Sequence, residues 1–170
     1  MNIIRYLKIA DCFTLGNLFA GILAVYFAAL GQLTLSAALL FLAAVFDVLD
    51  GKVAGWLNEK NQFGKEIDSL SDLVSFGVAP VLVYFVLDTP GLFRVLTGLF
   101  FAACGMLRLA RYNVTENSGF EGVPISVNGV IFAVLLLVQT AVPETLQFWP
   151  YLFLLQGGLM ISTFKIQRLF

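Results

Sequence analysis

The sequence predicts an all-α integral membrane protein, and three observations support this fold class. Hydrophobic residues make up 59% of the 170 residues, only 12% are charged, and the mean hydropathy is +0.90. A water-soluble domain of this length needs more polar surface to cover its core. The apolar residues also form long runs separated by short polar segments, and the basic residues concentrate in alternate segments.

The apolar runs predict six membrane-spanning helices in a single domain, residues 1–170, because a helix needs about 20 mostly apolar residues to cross a bilayer. Residues 1–12 mix basic and apolar side chains, so we expect a short interfacial amphipathic helix there. The six spans are expected at residues 13–30, from 35 to beyond 46, 67–87, 92–112, 123–142 and 145–164.

The basic residues predict the orientation of these spans. With six spans, one side of the membrane holds both termini and the loops after spans two and four. Nine of the ten Lys and Arg residues fall on that side: Arg5, Lys8, Lys52, Lys60, Lys65, Arg108, Arg111, Lys165 and Arg168. Only Arg94 falls on the other. Because basic loops stay in the cytoplasm, we expect a multi-pass protein of the cytoplasmic membrane with both termini inside.

Composition also limits the chemistry. Histidine is absent, which excludes imidazole base catalysis, a Ser-His-Asp triad and a His-ligated zinc site. Cys12 and Cys104 are isolated in apolar surroundings, so they predict neither a disulfide framework nor a thiolate metal site. The net charge of −1 predicts no nucleic-acid partner. Catalysis must therefore use carboxylates, amines, guanidinium groups or metal ions.

Four of the eleven acidic residues form a pattern at the cytoplasmic ends of spans two and three. Asp47 and Asp50 are separated by three positions, and Asp68 and Asp72 by four, so each pair lies on one helical face. Spans two and three are antiparallel neighbours, so the pairs can converge. Four carboxylates at a membrane surface repel one another, and Mg²⁺ or Mn²⁺ would neutralise them. Two such ions would form a clamp for phosphoryl chemistry, with this site facing the cytoplasm.

The alternative interpretation is that these residues cap helix ends or lie in solvent. It is plausible for Asp68, because Asp is common at the start of a helix. Asp47 and Asp50 lie at the end of a helix, where the helix dipole disfavours an anion, so helix stability does not explain them. The four residues together favour a metal site.

The full pattern reads Asp47-x-x-Asp50-Gly51-x-x-Ala54-Gly55, eight residues, then Gly64-x-x-x-Asp68-x-x-x-Asp72. It resembles the signature of the CDP-alcohol phosphatidyltransferase family, D-x2-D-G-x2-A-R-x8-G-x3-D-x3-D, at seven of its eight fixed positions. The six-span architecture is also similar to that family. Four further segments resemble its phosphatidylserine synthase branch: residues 14–21, 68–80, 108–113 and 122–125.

The resemblance implies that a CDP-lipid (CDP-diacylglycerol or CDP-archaeol) gives its lipid-linked phosphoryl group to L-serine and releases CMP. It implies that Asp47, Asp50, Asp68 and Asp72 hold two divalent cations, and that Asp72 also accepts the proton of the serine hydroxyl. Gly51, Ala54 and Gly64 would border the CDP moiety. Family members are commonly homodimers, which implies a homodimer here, surrounded by membrane lipids.

Several polar residues are additional candidates for substrate binding. Arg108 and Arg111 could bind a phosphate or the serine carboxylate, or could serve only as cytoplasmic anchors. Asn17 could contact substrate or form a helix–helix hydrogen bond. The chain departs from the signature at Gly55, where the family has Arg, and Lys52 could supply the missing charge. We expect Gly55→Arg to retain or raise turnover.

Three alternatives to this function remain open from the sequence. The same chemistry could use glycerol phosphate or inositol phosphate as the acceptor. The carboxylates could instead form the binding site of a divalent-cation transporter, although their position at the helix ends, away from the membrane midplane, argues against this. Gly55 raises the further possibility of a catalytically silent membrane protein. The sequence does not distinguish ester-linked from ether-linked lipids.

Overall fold

The structure, a computed structural model, describes residues 6–58, 61–88, 91–115 and 122–163, and all regular structure in these ranges is helical. The prediction of an all-α fold is confirmed. A π-helical turn, Leu73–Val78, joins the helices Gln62–Asp72 and Ala79–Leu87 into one continuous run, and a 3₁₀ helix, Pro143–Phe148, leads into the helix Trp149–Ile161. The α-helices are α1 (Ile9–Ala29), α2 (Leu33–Trp56), α3 (Gln62–Asp72), α4 (Ala79–Leu87), α5 (Leu92–Val114), α6 (Val127–Ala141) and α7 (Trp149–Ile161).

Four helical runs are long and apolar enough to cross a membrane: Ile9–Ala29, Leu33–Trp56, Gln62–Leu87 and Leu92–Val114. They correspond to the first four predicted spans, and they identify the chain as an integral membrane protein. The helices in the regions of the last two predicted spans are shorter, 15 residues in α6 and 13 in α7. The total of six spans and the cytoplasmic position of the termini therefore stay predictions.

The predicted interfacial helix is wrong within the described residues, and residues 1–5 lie outside them. Tyr6, Leu7 and Lys8 are not helical, and Ile9 already begins α1, four residues before the expected start of span one. The carboxylate of Asp11 accepts a hydrogen bond of 2.7 Å from the backbone N–H of Lys8. This bond satisfies a backbone donor at the helix start and fixes the beginning of α1 at this point.

Helix α1 packs between α2 and the run from α3 to α4. Its buried residues on this surface are small, including Ala20, Gly21 and Ala24, which allows the backbones to approach closely. The Ser36 hydroxyl of α2 donates a hydrogen bond of 2.7 Å to the carbonyl oxygen of Ala24. On the other side, a Cβ atom added to Gly21 would lie 2.8 Å from the Cα atom of Ser75 in the π-helical turn. The three helical runs are thereby held together.

Replacing Gly21 with Ala is expected to destabilise the protein by about 1–3 kcal/mol, because the added methyl group must push the π-helical turn away from α1. The midpoint of thermal unfolding in detergent measures this loss. Gly158→Ala on α7 is the matched control, because an added Cβ there meets no atom within 4 Å. Equal midpoints for the two variants would contradict the close packing described here.

Candidate active site

Three of the four predicted carboxylates come together where α2 and α3 meet. Asp47 and Asp50 on α2 and Asp68 on α3 each present one oxygen atom, and these oxygen atoms all lie within 4.8 Å of one another. Asp50 is buried, and Asp47 and Asp68 are half-buried. The helical spacing puts the first two on one face of α2, and α3, the next helix in the chain, brings Asp68 against them.

Asp72 lies beside this group, one turn further along α3. Only 6% of its surface is exposed, and its Oδ1 atom accepts a hydrogen bond of 3.0 Å from the side-chain amide of Asn17 on α1. Its carboxyl group is within hydrogen-bonding reach of that of Asp47. A neutral donor thus holds one oxygen of Asp72, and the carboxyl group lies against that of Asp47.

Helix α1 positions both pairs of carboxylates through two of its residues. The Thr14 hydroxyl donates to Oδ2 of Asp50 at 2.8 Å, as Asn17 does to Asp72. The backbone carbonyls of the same two residues accept hydrogen bonds of 3.0 Å each, Thr14 from the Ser71 hydroxyl and Asn17 from that of Ser75. The three hydrogen bonds that involve Asp72, Ser71 and Ser75 fix the distance between α1 and the helical run that carries Asp68 and Asp72.

Thr14 and Asp11 were not among the predicted site residues, although the sequence contains a signal for them. Asp11, Thr14 and Asn17 follow one another at intervals of three in an otherwise apolar segment. That interval puts polar side chains along one face of a helix. All three are buried, at 4%, 4% and 0% exposure. A polar stripe of this kind inside a membrane span indicates a site or a polar helix contact.

The chemistry of this cluster fits a hard divalent cation. Every donor is a carboxylate oxygen, the ligand type that Mg²⁺ and Mn²⁺ prefer. Oδ1 of Asp68 is buried and has no hydrogen-bond partner among the described residues, so it is available as a ligand. Without a cation, carboxylates at such separations repel one another in surroundings of low polarity. Asp47, Asp50 and Asp68 therefore fit a divalent cation.

A cleft of about 520 Å³ opens next to the cluster. Asp50 and Asp68 form part of its wall, and Gly51, Ala54 and Gly64 lie along it. A Cβ atom added to Gly51 would meet no atom within 4 Å, so this glycine leaves open space in the cleft. The remaining lining residues are Ala10, Asp11, Thr14, Asn61, Gln62, Lys65 and Tyr112.

The predicted cationic residues occupy different surroundings. Lys52 is exposed and does not line the cleft. Arg111 donates hydrogen bonds of 3.1–3.3 Å to the carbonyl oxygens of Met160, Ile161 and Ser162, at the end of α7. Arg108 is buried, with 7% exposure, and lies near enough to Asp72 and Asp47 for electrostatic interaction. Of these three residues, Arg108 is the one that interacts electrostatically with the carboxylates.

Comparisons with known proteins agree with this site. The family model for CDP-alcohol phosphatidyltransferase matches residues 7–163. The CDP-diacylglycerol–serine O-phosphatidyltransferase of Methanocaldococcus jannaschii is 35% identical, covering 98% of this chain and 77% of that protein. The enzyme of that name from Bacillus subtilis is 36% identical, covering 72% of this chain and 71% of that protein. The archaetidylserine synthase of Methanothermobacter thermautotrophicus is 37% identical, but the chain covers only 58% of it.

The matched region contains the carboxylate cluster, the cleft and the α1 residues that hold them in place. The match to the family model extends over most of the chain. Two of the relatives named above are serine O-phosphatidyltransferases, and the third is an archaetidylserine synthase. This chain belongs to the CDP-alcohol phosphatidyltransferase family.

Proposed function

We propose that the chain transfers a phosphatidyl-type group from a CDP-lipid to L-serine and releases CMP. One observation carries this proposal: an all-oxygen carboxylate cluster contributes Asp50 and Asp68 to the wall of a cleft whose volume, about 520 Å³, suits a ligand of nucleotide size. The relatives named as serine O-phosphatidyltransferases support serine as the acceptor. The lipid of the donor is CDP-diacylglycerol or CDP-archaeol, since one relative is named for each lipid type.

Asp47, Asp50, Asp68 and Asp72 would hold two divalent cations, Mg²⁺ or Mn²⁺. When bound, such ions stabilise the negative charge of a diphosphate as a bond to phosphorus breaks. The chain itself supplies the fixed geometry. Thr14 holds the carboxylate of Asp50 at the cleft wall, so the cluster is arranged before the substrate arrives.

The serine hydroxyl oxygen attacks the lipid-linked phosphorus. The bond between that phosphorus and the oxygen of CMP breaks, and CMP leaves with the electron pair. Asp72 accepts the hydroxyl proton, because the amide of Asn17 holds one of its oxygens and leaves the other for the acceptor.

Arg108 is the residue that we assign to the serine carboxylate. It lies near Asp72 and Asp47, while Gly51, Ala54 and Gly64 lie along the cleft that accommodates the nucleotide. A guanidinium group binds a carboxylate with two parallel hydrogen bonds, which would fix the hydroxyl of serine relative to Asp72. In this arrangement the acceptor and the donor reach the carboxylate cluster from different directions.

Arg108→Gln is expected to raise the KM for serine by about tenfold or more, because a charge-assisted hydrogen bond of about 1.5–3 kcal/mol is lost. Arg111→Gln is the comparison, and we expect it to lower the midpoint of thermal unfolding, since it removes the donors at the end of α7. Steady-state kinetics and thermal unfolding of both variants check these results. An unchanged KM for serine in Arg108→Gln would contradict the assignment.

We further propose that the protein acts in the cytoplasmic membrane as a homodimer, with the site facing the cytoplasm. Nine of the ten basic residues fall on the predicted cytoplasmic side and one on the other, which supports this orientation. Labelling of single-cysteine variants at Lys52 and Arg94 in intact cells tests it. We expect a membrane-impermeant reagent added outside the cells to react at position 94 and not at position 52, and the reverse result would contradict the orientation.

The choice of acceptor is tested by incubating the purified protein with CDP-diacylglycerol and Mn²⁺ in the presence of L-serine, glycerol phosphate or inositol phosphate. We expect a new phospholipid containing serine, identified by mass spectrometry, and no product with the phosphorylated alcohols. A product with glycerol phosphate or inositol phosphate, and none with serine, would contradict the proposed acceptor while keeping the same chemistry.

A further inference from the structure

Lys65 lies on the wall of the cleft, next to the carboxylate cluster. It precedes Asp68 by three positions on α3, so the two side chains share a helical face about 4.5 Å apart along the axis. Both residues line the cleft, together with Asp50 on α2. A ligand with two linked phosphate groups could therefore contact the carboxylate cluster with one phosphate and Lys65 with the other.

The ammonium group of Lys65 is held by neutral partners. Its Nζ atom donates a hydrogen bond of 3.3 Å to the backbone carbonyl of Asn113 and lies 5.1 Å from the centre of the Tyr112 ring. Within the described ranges, the only side-chain ion pair with an N–O distance of 4 Å or less joins Arg94 and Asp88. No described carboxylate therefore forms an ion pair with Lys65. Its charge is available to an anionic ligand, although Asp11 and Asp68 line the same cleft.

A hydrogen-bond network fixes the position of Lys65. The Asn113 side chain exchanges hydrogen bonds with the Ser69 hydroxyl, and its amide also lies 3.5 Å from Oε2 of Glu66. These contacts join the cytoplasmic end of α5 to the turn of α3 that follows Lys65. The carbonyl and the aromatic ring that hold the ammonium group are therefore themselves held against α3, which limits the freedom of the lysine side chain.

Among the described residues of α2, no cationic side chain lines this part of the cleft. Helix α2 contributes Asp50, Gly51 and Ala54 to its lining, Gly55 has no side chain, and Lys52 is exposed outside it. We propose that Lys65 binds the diphosphate of the CDP-lipid and supplies the positive charge that position 55 lacks. This inference rests on the proposed function, since it assigns a phosphate-binding residue within the same site.

The test compares the binding of CDP and of cytidine to the purified protein in detergent by isothermal titration calorimetry, at constant Mn²⁺. Lys65→Gln is expected to weaken CDP binding by about tenfold or more, with the affinity for cytidine unchanged, because only the phosphate contact is lost. Lys65→Arg should retain the affinity for CDP within about threefold, since it keeps the charge. Adding Gly55→Arg to Lys65→Gln should restore part of the affinity.

Lys8→Gln is the matched control, because it removes the same charge from an exposed residue that does not line the cleft. Thermal unfolding confirms that each variant is folded. Wild-type affinity for CDP in Lys65→Gln, or an equal loss in Lys8→Gln, overturns the assignment of Lys65 while leaving the proposed function intact. If the wild-type protein binds neither CDP nor a CDP-lipid, the proposed function itself fails.

Discussion

Replacing Asp72 with Asn is expected to lower serine-dependent CMP release by about 10²–10⁴-fold, the usual contribution of a general base. Asparagine has nearly the same shape and can still pair with Asn17 after rotation of its amide, so the packing of α1 against α3 is retained. It cannot accept the proton of the serine hydroxyl. The rate of CMP release at saturating CDP-lipid and serine measures the effect.

The same variant separates proton transfer from cation binding. Asp47, Asp50 and Asp68 form the group whose oxygen atoms lie within 4.8 Å of one another, and Asp72 lies beside it. We therefore expect Asp72→Asn to retain measurable Mn²⁺ binding. Glu144→Gln, a carboxylate replacement at an exposed residue of the 3₁₀ helix, is the control for nonspecific effects. Activity of Asp72→Asn within about threefold of wild type would assign the base to another group.

Replacing Asp68 with Asn is expected to weaken Mn²⁺ binding by about tenfold or more and to abolish CMP release. It removes the carboxylate whose Oδ1 atom is buried without a partner. Without metal, by contrast, the substitution should stabilise the protein. Because the variant removes one of several carboxylates that repel one another, we expect a higher midpoint of thermal unfolding in EDTA than for the wild type.

Thermal unfolding with and without Mn²⁺ checks both effects of Asp68→Asn. A bound ion at 100 times its dissociation constant stabilises the folded state by about 2.7 kcal/mol, so the wild-type midpoint should rise clearly on addition of Mn²⁺. The midpoint of the variant should rise much less. If Asp68→Asn lowers the midpoint in EDTA and leaves the Mn²⁺ effect unchanged, Asp68 has a structural role and is not a metal ligand.

The convergence of the carboxylates could be predicted because it depends on local geometry. Intervals of three and four residues put Asp47 with Asp50, and Asp68 with Asp72, on single helical faces, and the short segment between α2 and α3 leaves both pairs at the same end of the helices. The family signature implied that Gly51, Ala54 and Gly64 border the CDP moiety. The three residues line the cleft beside the carboxylates, and their contact with CDP stays a prediction.

The contributions of other helices could not be predicted in the same way. The bonds from Thr14 to Asp50 and from Lys65 to Asn113 join residues 36 and 48 positions apart, and they depend on how the helices pack. Arg111 looked as suitable for anion binding as Arg108, because both are basic residues near the end of one span. Only packing distinguishes them, since it brings Arg111 to the end of α7 and Arg108 to the carboxylates.

The lengths of the last two helices were also beyond sequence reasoning. Residues 145–164 form an apolar run that predicts a span, but Pro143–Phe148 is a 3₁₀ helix and α7 begins only at Trp149. Hydropathy reports how apolar a segment is and not where its α-helical hydrogen bonding begins. The proline at position 143 has no backbone N–H to donate, which favours a change of helix type at this point.

The most direct test of the proposed function is CMP release by the purified protein from a CDP-lipid, measured with and without L-serine and with Mn²⁺ or EDTA. Ester-linked and ether-linked CDP-lipids are tested in parallel. We predict release that serine stimulates, that EDTA abolishes and that added Mn²⁺ or Mg²⁺ restores. CMP release that is absent with both lipids under every condition, or that persists undiminished in EDTA, would contradict a metal-dependent transfer to serine at the carboxylate cluster.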